Sequence, residues 1–428
     1  MIAFLLIAFF ALMVLGVPIA MSLGLASIGG IVFISHANLL TICQRMFEGM
    51  NSFALLAIPL FTFSGFTMSK GGISDHLMDW CYSLVGRIPG GLGHVNILSS
   101  MVFAGISGSA VADTAGVSGM MMPNMVKKGF SREETTAITA ISSTIGIIIP
   151  PSIPMVVIAG IVGISTGKMF LGGIVPGILL GIAQMGVCYF NAKRNHIPVD
   201  EGQFSMKEFL HCTWRFLPAL MMPVIIVGTI SAGIVSPTEA GAIAVAYGLI
   251  AGGLIYHELK LRDIVYALKE TVKTSGRIFV VIGAAKLFTV MLTTAGFDKW
   301  VANTLLGIST NPTIILIIIL LIFFVVTMFM ESIATLTLFM PIIYPIAIEV
   351  GIDPIVLGVL ITVVIGVGLV TPPVGTCLYV AADLMDLRVG KVMPYLLPYI
   401  AVTFLVIALL TAFPQLITVP GSLIASGA

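Results

Sequence analysis

The stretch AISSTIGIIIPPSIPMVV, residues 140–157, decides the class of fold. It is apolar enough to lie in a membrane, yet a Pro-Pro pair interrupts it where a continuous helix could not form. The stretch GLVTPPVG, residues 368–375, repeats this pattern in the second half of the chain. Both lie in apolar segments, 133–164 and 354–385, that are too long for one straight crossing of a bilayer. The sequence therefore predicts two helices that are broken inside a membrane.

The rest of the chain is also apolar. Of its 428 residues, 58% are hydrophobic and 9% are charged, against roughly 25% charged in an ordinary soluble domain. A backbone in hydrocarbon must satisfy its hydrogen bonds internally, and no long stretch alternates with period two, so we expect an all-α polytopic membrane protein. About ten membrane-crossing helices are expected, at 1–16, 18–35, 51–68, 133–164, 168–192, 213–235, 237–256, 278–295, 354–385 and 392–413.

Two further stretches, residues 92–126 and 312–350, are long but carry polar residues in their middle. We interpret them as re-entrant helical hairpins, which enter the membrane and return on the same side. The amphipathic segments Ile73–Arg87 and Phe297–Ile308 are expected to lie along the membrane surface.

Landmarks of the first half recur in the second half in the same order. The pairs are Pro18 with Pro237, Asp113 with Glu331, Pro123 with Pro341, Gly129 with Gly351, and Pro150-Pro151 with Pro372-Pro373. Ordered recurrence of this kind indicates an internal duplication. We therefore expect a first repeat at 1–192, a cytoplasmic linker at 193–212 and a second repeat at 213–428.

The charges predict that the two repeats have opposite orientations. Lys127, Lys128 and Arg132 follow the first hairpin, whereas the matching stretch after Pro341 has no Lys or Arg. Lys and Arg mark the cytoplasmic side, and the basic cluster of the second half lies in a different loop, residues 260–277. Corresponding loops are therefore expected on opposite sides of the membrane, as in inverted-topology transporters.

The helix breaks and hairpin turns are the candidate sites. Proline frees backbone carbonyls, which with Ser and Thr hydroxyls are hard oxygen ligands for sodium, and a restarting helix points its positive N-terminus at a carboxylate. The alternative is that these breaks only kink the helices for packing. Asp113 and Glu331 either support an ion site or cap the helices that follow them, and the sequence leaves both open.

Other functions have little support in the sequence. The five cysteines are scattered and predict no metal site. The stretch GISTGKM, residues 163–169, has the wrong spacing for a phosphate loop, and no hydrolase motif is present, so we expect neither an enzyme nor a cofactor. A net charge of +1 favours no nucleic-acid partner. A passive channel would need a continuous polar lining, whereas polar residues here concentrate at the breaks.

The same residues resemble the large membrane subunit of tripartite ATP-independent periplasmic (TRAP) transporters. The resemblance covers essentially the whole chain and runs through SGSAVADTAGVSGMMMPNMVKKGF (107–130), AISSTIGIIIPPSIPMVV (140–157), SPTEAGA (236–242) and GLVTPPVG (368–375). It implies sodium-driven uptake of an organic acid, such as a C4-dicarboxylate or sialic acid, across the bacterial inner membrane. It also implies an elevator movement and two partners, a small four-helix membrane subunit (Q) and a periplasmic solute-binding protein (P).

The resemblance also implies roles for single residues. One sodium-binding region is expected at Ser107, Gly146, Ile149 and Pro150, and its symmetry mate at Gly368, Thr371 and Pro372. The predicted substrate-binding residues at the same turns are Ser109, Ser152, Ser332, Gly375 and Thr376, with Asp113 and Glu331 as supporting acids. Val364 departs from the family, which often has Asn there. The alternative function is a sodium/carboxylate symporter that works without a binding protein.

Overall fold

The computed structural model describes residues 1–35, 38–199 and 204–419, and all regular structure in these residues is helical. The residues 200–203 of the predicted linker and 420–428 of the predicted second repeat lie outside the described part. The first ten helices are α1 (Ile2–Val14), α2 (Ile19–Gly30), α3 (Leu40–Met50), α4 (Ala57–Lys70), α5 (Ile73–Val85), α6 (Gly91–Ser107), α7 (Ala110–Lys127), α8 (Arg132–Ser143), α9 (Ile153–Val162) and α10 (Thr166–Arg194).

Nine more helices follow. They are α11 (Met206–Ser231), α12 (Pro237–Ile250), α13 (Leu261–Thr294), α14 (Phe297–Ile308), α15 (Pro312–Thr327), α16 (Ser332–Glu349), α17 (Pro354–Gly368), α18 (Thr376–Leu384) and α19 (Val389–Ala412). Short π-helical or 3₁₀ turns extend α2 and α12, precede α4 and follow α8. The order of elements from α5 to α10 is the order from α14 to α19.

Helical pairs and helix breaks lie where the hairpins and broken helices are expected, while the re-entrant course of the pairs in a membrane stays a prediction. Helices α6 and α7 form the first helical pair, and α15 and α16 form the second, with a turn between Thr327 and Ser332. Each Pro-Pro pair separates two helices, α8 from α9 and α17 from α18, and both Pro-Pro bonds are cis. The surface segment predicted at Phe297–Ile308 is α14.

Seven described helices are long and apolar enough to cross a membrane. They are Phe53–Lys70, Thr166–Arg194, Met206–Ser231, Pro237–Ile255, Leu261–Thr294, Ser332–Glu349 and Val389–Ala412. Ser332–Glu349 is an arm of the second hairpin rather than a predicted span. The helices at the predicted spans 1–16 and 18–35 are shorter, and the two broken helices are divided, so the count of ten crossings stays a prediction.

Two sequence expectations were incomplete. The segment predicted at 278–295 is the second half of α13, which begins at Leu261 and has 34 residues. Hydropathy missed its first half because six of the residues 261–277 are charged, although such residues form helices well. Helix α3 was missed for a related reason, since Arg45 and Glu48 interrupt its apolar pattern and pair with each other on its surface.

Most of the helices pack in two groups, and α5, α11 and α14 contact members of both. The first group contains α1 to α4, α12 and α13, and within it α4 lies against both α12 and α13. The second group, which we call the hairpin group, contains α6 to α10 and α15 to α19. Polar contacts hold the first hairpin to the broken helix, because Asn96 Nδ2 donates to Thr139 Oγ1 at 2.7 Å and Ser100 Oγ lies 3.1 Å from Ser142 Oγ. The groups meet where α13 contacts α16 and α4 contacts α6.

Candidate functional site

The turn of the first hairpin, which we call the first tip, consists of residues 107–110. Gly108 ends α6 in the left-handed conformation, with φ of 63°, and Ser109 begins α7 by accepting a hydrogen bond from Ala112 N at 3.4 Å. A glycine after a helix and a serine before the next one are the residues these positions favour. An added Cβ on Gly108 would lie 2.6 Å from Pro151 O, so a larger residue does not fit.

The first break, residues 148–152, lies directly behind this tip. Ile153 N donates to Gly108 O at 3.2 Å, so the restarting helix α9 is joined to the tip. Ser152 Oγ donates to Ile147 O and accepts from Met155 N at 3.2 Å, and the side chain is fully buried. Ser152, a predicted substrate ligand, therefore caps α9 in the structure.

The second tip, residues 327–332, meets the second break in the same way. Val374 N donates to Met328 O at 2.9 Å. Gly368 approaches the tip so closely that an added Cβ would overlap Thr327 Oγ1 and lie 2.5 Å from Thr327 Cβ. Thr371 Oγ1 donates to Val367 O at 2.7 Å, which leaves its lone pairs available to a cation.

The two acids that the sequence pairs, Asp113 and Glu331, have different environments. The carboxylate of Glu331 accepts hydrogen bonds from Ile333 N at 3.0 Å and Ala334 N at 3.3 Å, so it caps α16. Asp113 lies one turn inside α7, is fully buried, and has no hydrogen-bond partner at Oδ1 or Oδ2 among the described residues. The Ser100 hydroxyl approaches it but bonds to Ser142. Gly146 lies beside Asp113, because an added Cβ would be 3.5 Å from Oδ2.

A cavity of about 640 Å³ lies where the two tips face α4 and α13. Four predicted site residues line it, namely Ser107, Ser109, Glu331 and Ser332. Residues that sequence reasoning did not place there are Thr62, Ser69 and Lys70 of α4 and Tyr266, Thr274 and Arg277 of α13. The signal that could have found them is helical spacing, since 62, 66, 69 and 70 share one face of α4 and 274, 277, 278 and 281 share one face of α13.

The other predicted residues lie behind the tips rather than in the cavity wall. This set contains Gly146, Ile149, Pro150, Ser152, Gly368, Thr371, Pro372, Gly375, Thr376 and Asp113. Thr376 Oγ1 is buried without a partner among the described residues. No group of three or more His, Cys, Asp or Glu side chains converges in the described part of the chain.

Comparison with known proteins gives the family. Residues 6–416 match the family described as "Tripartite ATP-independent periplasmic transporter, DctM component". The chain is 36% identical over 412 residues to the isethionate TRAP transporter permease protein DctMQ of Oleidesulfovibrio alaskensis, covering 96% of this chain and 65% of that protein. It is 34% identical to the sialic acid TRAP transporter large permease protein SiaM of Vibrio cholerae, covering 94% of this chain and 93% of SiaM.

Another relative and a solved structure are also similar to this chain. The C4-dicarboxylate TRAP transporter large permease protein DctM of Pseudomonas aeruginosa is 35% identical, and 92% of each chain is covered. The crystal structure of the Alcanivorax borkumensis YdaH transporter superposes with a TM-score of 0.58 over 91% of this chain and 89% of that one, at 14% sequence identity. That identity supports the fold alone. The broken helices, the hairpins and the family match lead to one conclusion: this chain belongs to the large permease (DctM) family of TRAP transporters.

Proposed function

We propose that the chain couples inward sodium movement to uptake of an organic anion across the bacterial inner membrane. The observation that carries this proposal is the cavity at which both hairpin tips meet, each tip hydrogen-bonded to a broken helix. The Ser109–Ala112 start of α7 and the Glu331–Ala334 start of α16 both reach the cavity. Helix N-termini favour anions, and at α16 the carboxylate of Glu331 already occupies that place, which leaves the start of α7 for the solute. Sodium and solute would thus bind on opposite sides of the same two tips.

The proposed sodium ligands lie at the breaks. Ser107 and the carbonyls around Gly146, Ile149 and Pro150 form the first set. Gly368, Thr371 and Pro372 form the second set. Backbone carbonyls that a proline leaves without a helical donor are hard ligands whose dipoles can be directed at an ion. A membrane potential contributes about 2.3 kcal/mol per charge per 100 mV, so two or more sodium ions could drive uptake of a mono- or dianion.

The proposed movement is that of an elevator built from two inverted repeats. The cavity lies between the hairpin group and the group formed by α1 to α4, α12 and α13, so sliding one group past the other would carry the tips and their ligands together. The recurring order of helices from α5 to α10 and from α14 to α19 supports the duplication.

The proposed partners are a small membrane subunit and a periplasmic binding protein. The relatives are named for isethionate, sialic acid and C4-dicarboxylates, all of them anions. The chain spans 65% of the DctMQ relative, whose name joins two components of such a system. We propose an organic acid of this kind as the solute, delivered by a binding protein.

Reconstitution separates this function from that of a stand-alone symporter. The chain is placed in liposomes alone, with the small subunit, and with both partners, and uptake of labelled succinate, N-acetylneuraminate and isethionate is followed under an inward sodium gradient. We expect uptake only with both partners and only with sodium. Sodium-driven uptake by the chain alone would favour the stand-alone symporter, and uptake independent of sodium would contradict the coupling.

Labelling tests the proposed inversion. Lys127 and Glu349 are exposed at the ends of α7 and α16, and Lys273 is exposed within α13. Each is replaced by cysteine in a chain whose exposed Cys43 has been changed to serine. An impermeant thiol reagent applied to intact cells should label position 349 and should not label 127 or 273. Labelling of position 127 from outside would contradict the inverted arrangement.

A further inference from the structure

One wall of the cavity is formed by single faces of α4 and α13. The residues of this wall are Thr62, Gly65, Phe66, Ser69 and Lys70 of α4, and Tyr266, Thr274, Arg277, Ile278 and Val281 of α13. Their spacing of three and four residues places each set on one side of its helix. The two tips form the opposite wall, so a molecule in the cavity would touch α13 on one side and the starts of α7 and α16 on the other.

This wall has an excess of positive charge. Lys70 and Arg277 both line the cavity, and neither forms an ion pair with a described residue. Lys70 Nζ instead lies 5.0 Å from the centre of the Tyr266 ring. Glu331 is the one acid in the described lining, and its carboxylate already accepts two backbone N–H groups of α16. The wall formed by α4 and α13 therefore carries two positive charges, against the single carboxylate of Glu331 on the opposite wall.

The neighbouring cations of α13 differ from Arg277 in this respect. Lys273 Nζ lies 2.7 Å from Glu270 Oε1, and Lys286 Nζ lies 4.0 Å from Glu48 Oε1. Neither of these lysines lines the cavity. An unpaired cation in a cleft concentrates anions, whereas a paired one does so weakly. Arg277 differs from Lys273 and Lys286 because it lines the cavity and forms no ion pair with a described residue.

The depth of each cation follows from the packing of α4 against α13. The two helices run antiparallel, because Gly49, which precedes α4, contacts Lys286, and Lys70 at the end of α4 contacts Tyr266. An added Cβ on Gly65 would lie 3.2 Å from Ser107 Cα, so α4 passes the first tip there. Lys70 is five residues, or about 7 Å, further along the helix, and both Lys70 and Arg277 are exposed.

The position of Arg277 follows from its distance along α13. It lies eleven residues beyond Tyr266, about 16 Å along α13. Long side chains on a helix lean toward its N-terminus, so the guanidinium extends back from this depth toward Thr274. Arg277 lines the same cavity as Gly65 and the residues of the first tip.

We propose that Arg277 binds the anionic group of the transported solute from the α13 side of the cavity, opposite the hairpin tips, and that Lys70 of α4 offers a second anion contact. The expected ligand group is a carboxylate or sulfonate, whose planar or trigonal oxygens a guanidinium can bind through two N–H groups. This inference rests on the proposed function and adds to it a recognition residue outside the tips and breaks.

The test uses the full chain reconstituted with both partners under a sodium gradient. Wild type is compared with Arg277→Gln, Arg277→Lys and Lys70→Gln, with Lys273→Gln as the matched control because Lys273 is paired and outside the cavity. The acid used is whichever of succinate, N-acetylneuraminate and isethionate the wild type takes up fastest. Uptake rate, sodium half-saturation and melting temperature are measured for each variant.

We expect Arg277→Gln to lower uptake by about 10- to 100-fold, the effect of losing one charged hydrogen-bonding group, while sodium half-saturation and melting temperature stay within about twofold and a few degrees of wild type. Arg277→Lys should retain more activity, Lys70→Gln should have a smaller effect, and Lys273→Gln should match wild type. Uptake by Arg277→Gln equal to that of wild type would overturn the proposal while leaving sodium-coupled uptake intact. Failure of the wild type itself to take up any of the acids would instead remove the proposed function, and this inference with it.

Restoring a positive charge at position 277 tests whether the loss of uptake has only a structural cause. Arg277→Cys is made in a chain whose Cys43 and Cys212 have been replaced by serine, and it is treated with a thiosulfonate carrying a trimethylammonium or a sulfonate group. The cationic reagent should recover part of the uptake, whereas the anionic reagent should not. Equal results with both reagents would contradict a role for positive charge at this position.

Discussion

Each hairpin tip is hydrogen-bonded to a broken helix, but the two tips differ in how tightly they are enclosed. At the first tip the break is buried, including Pro150, Pro151 and Ser152. At the second tip Pro373 and Val374 are exposed, and the contact depends on the approach of Gly368 to Thr327. The acids differ as well, since Glu331 caps its helix and Asp113 is buried without a hydrogen-bond partner among the described residues. The two tips thus share a backbone scheme while their side chains differ.

The largest expected effect comes from replacing the glycine that precedes each Pro-Pro pair, Gly146 or Gly368, by alanine, which adds a methyl group. In Gly368→Ala the new Cβ overlaps Thr327, whereas in Gly146→Ala it meets Asp113 Cβ at 3.4 Å, an ordinary contact. Overpacking costs about 1–3 kcal/mol, so Gly368→Ala should lose most uptake and melt at a lower temperature. Gly146→Ala should fold as wild type. Gly390→Ala, which meets nothing within 4 Å, is the control, and equal melting temperatures in all three variants would contradict the difference.

The next effect concerns two hydroxyls proposed as sodium ligands, one at the first tip and one at the second break. Ser107→Ala and Thr371→Ala each remove a hydroxyl without adding bulk. Loss of one sodium ligand should cost about 1–3 kcal/mol of binding free energy, which corresponds to roughly 5- to 150-fold in sodium affinity. The measurement is uptake against sodium concentration, normalised to folded protein. If the breaks serve only packing, both variants would keep the wild-type sodium dependence. A change in one variant alone would show that a single tip determines the apparent affinity.

The smallest effect concerns the two acids and is measured as thermal stability without sodium. Glu331→Ala removes a helix cap and should cost about 0.5–2 kcal/mol. Asp113→Asn keeps the shape and removes an unpartnered carboxylate, so stability should be unchanged or slightly higher. Adding sodium should then stabilise wild type and Glu331→Ala more than Asp113→Asn, if Asp113 supports the first ion site. Stabilisation of Asp113→Asn by sodium equal to that of wild type would leave Asp113 without that role.

The positions of the hairpin turns and helix breaks could be predicted from the sequence because they depend on local signals. Gly108 after a helix, Ser109 before one, and Pro-Pro inside an apolar segment each specify a break directly. Sequence reasoning failed where the signal is long-range. Lys70 and Arg277 meet in one cavity only because α4 and α13 pack antiparallel. The capping role of Ser152 likewise depends on a turn geometry that residue type alone does not specify.

The length of α13 has a practical consequence. Its 34 residues form a rod of about 51 Å, whereas the hydrocarbon core of a bilayer is about 30 Å thick. The helix must therefore be steeply tilted in the bilayer, or about 20 Å of it must project beyond the lipid. A small soluble domain fused rigidly to the residues before Leu261 would inherit the orientation of this rod. Such a fusion would give single-particle imaging an asymmetric marker for a protein that otherwise has little mass outside the membrane.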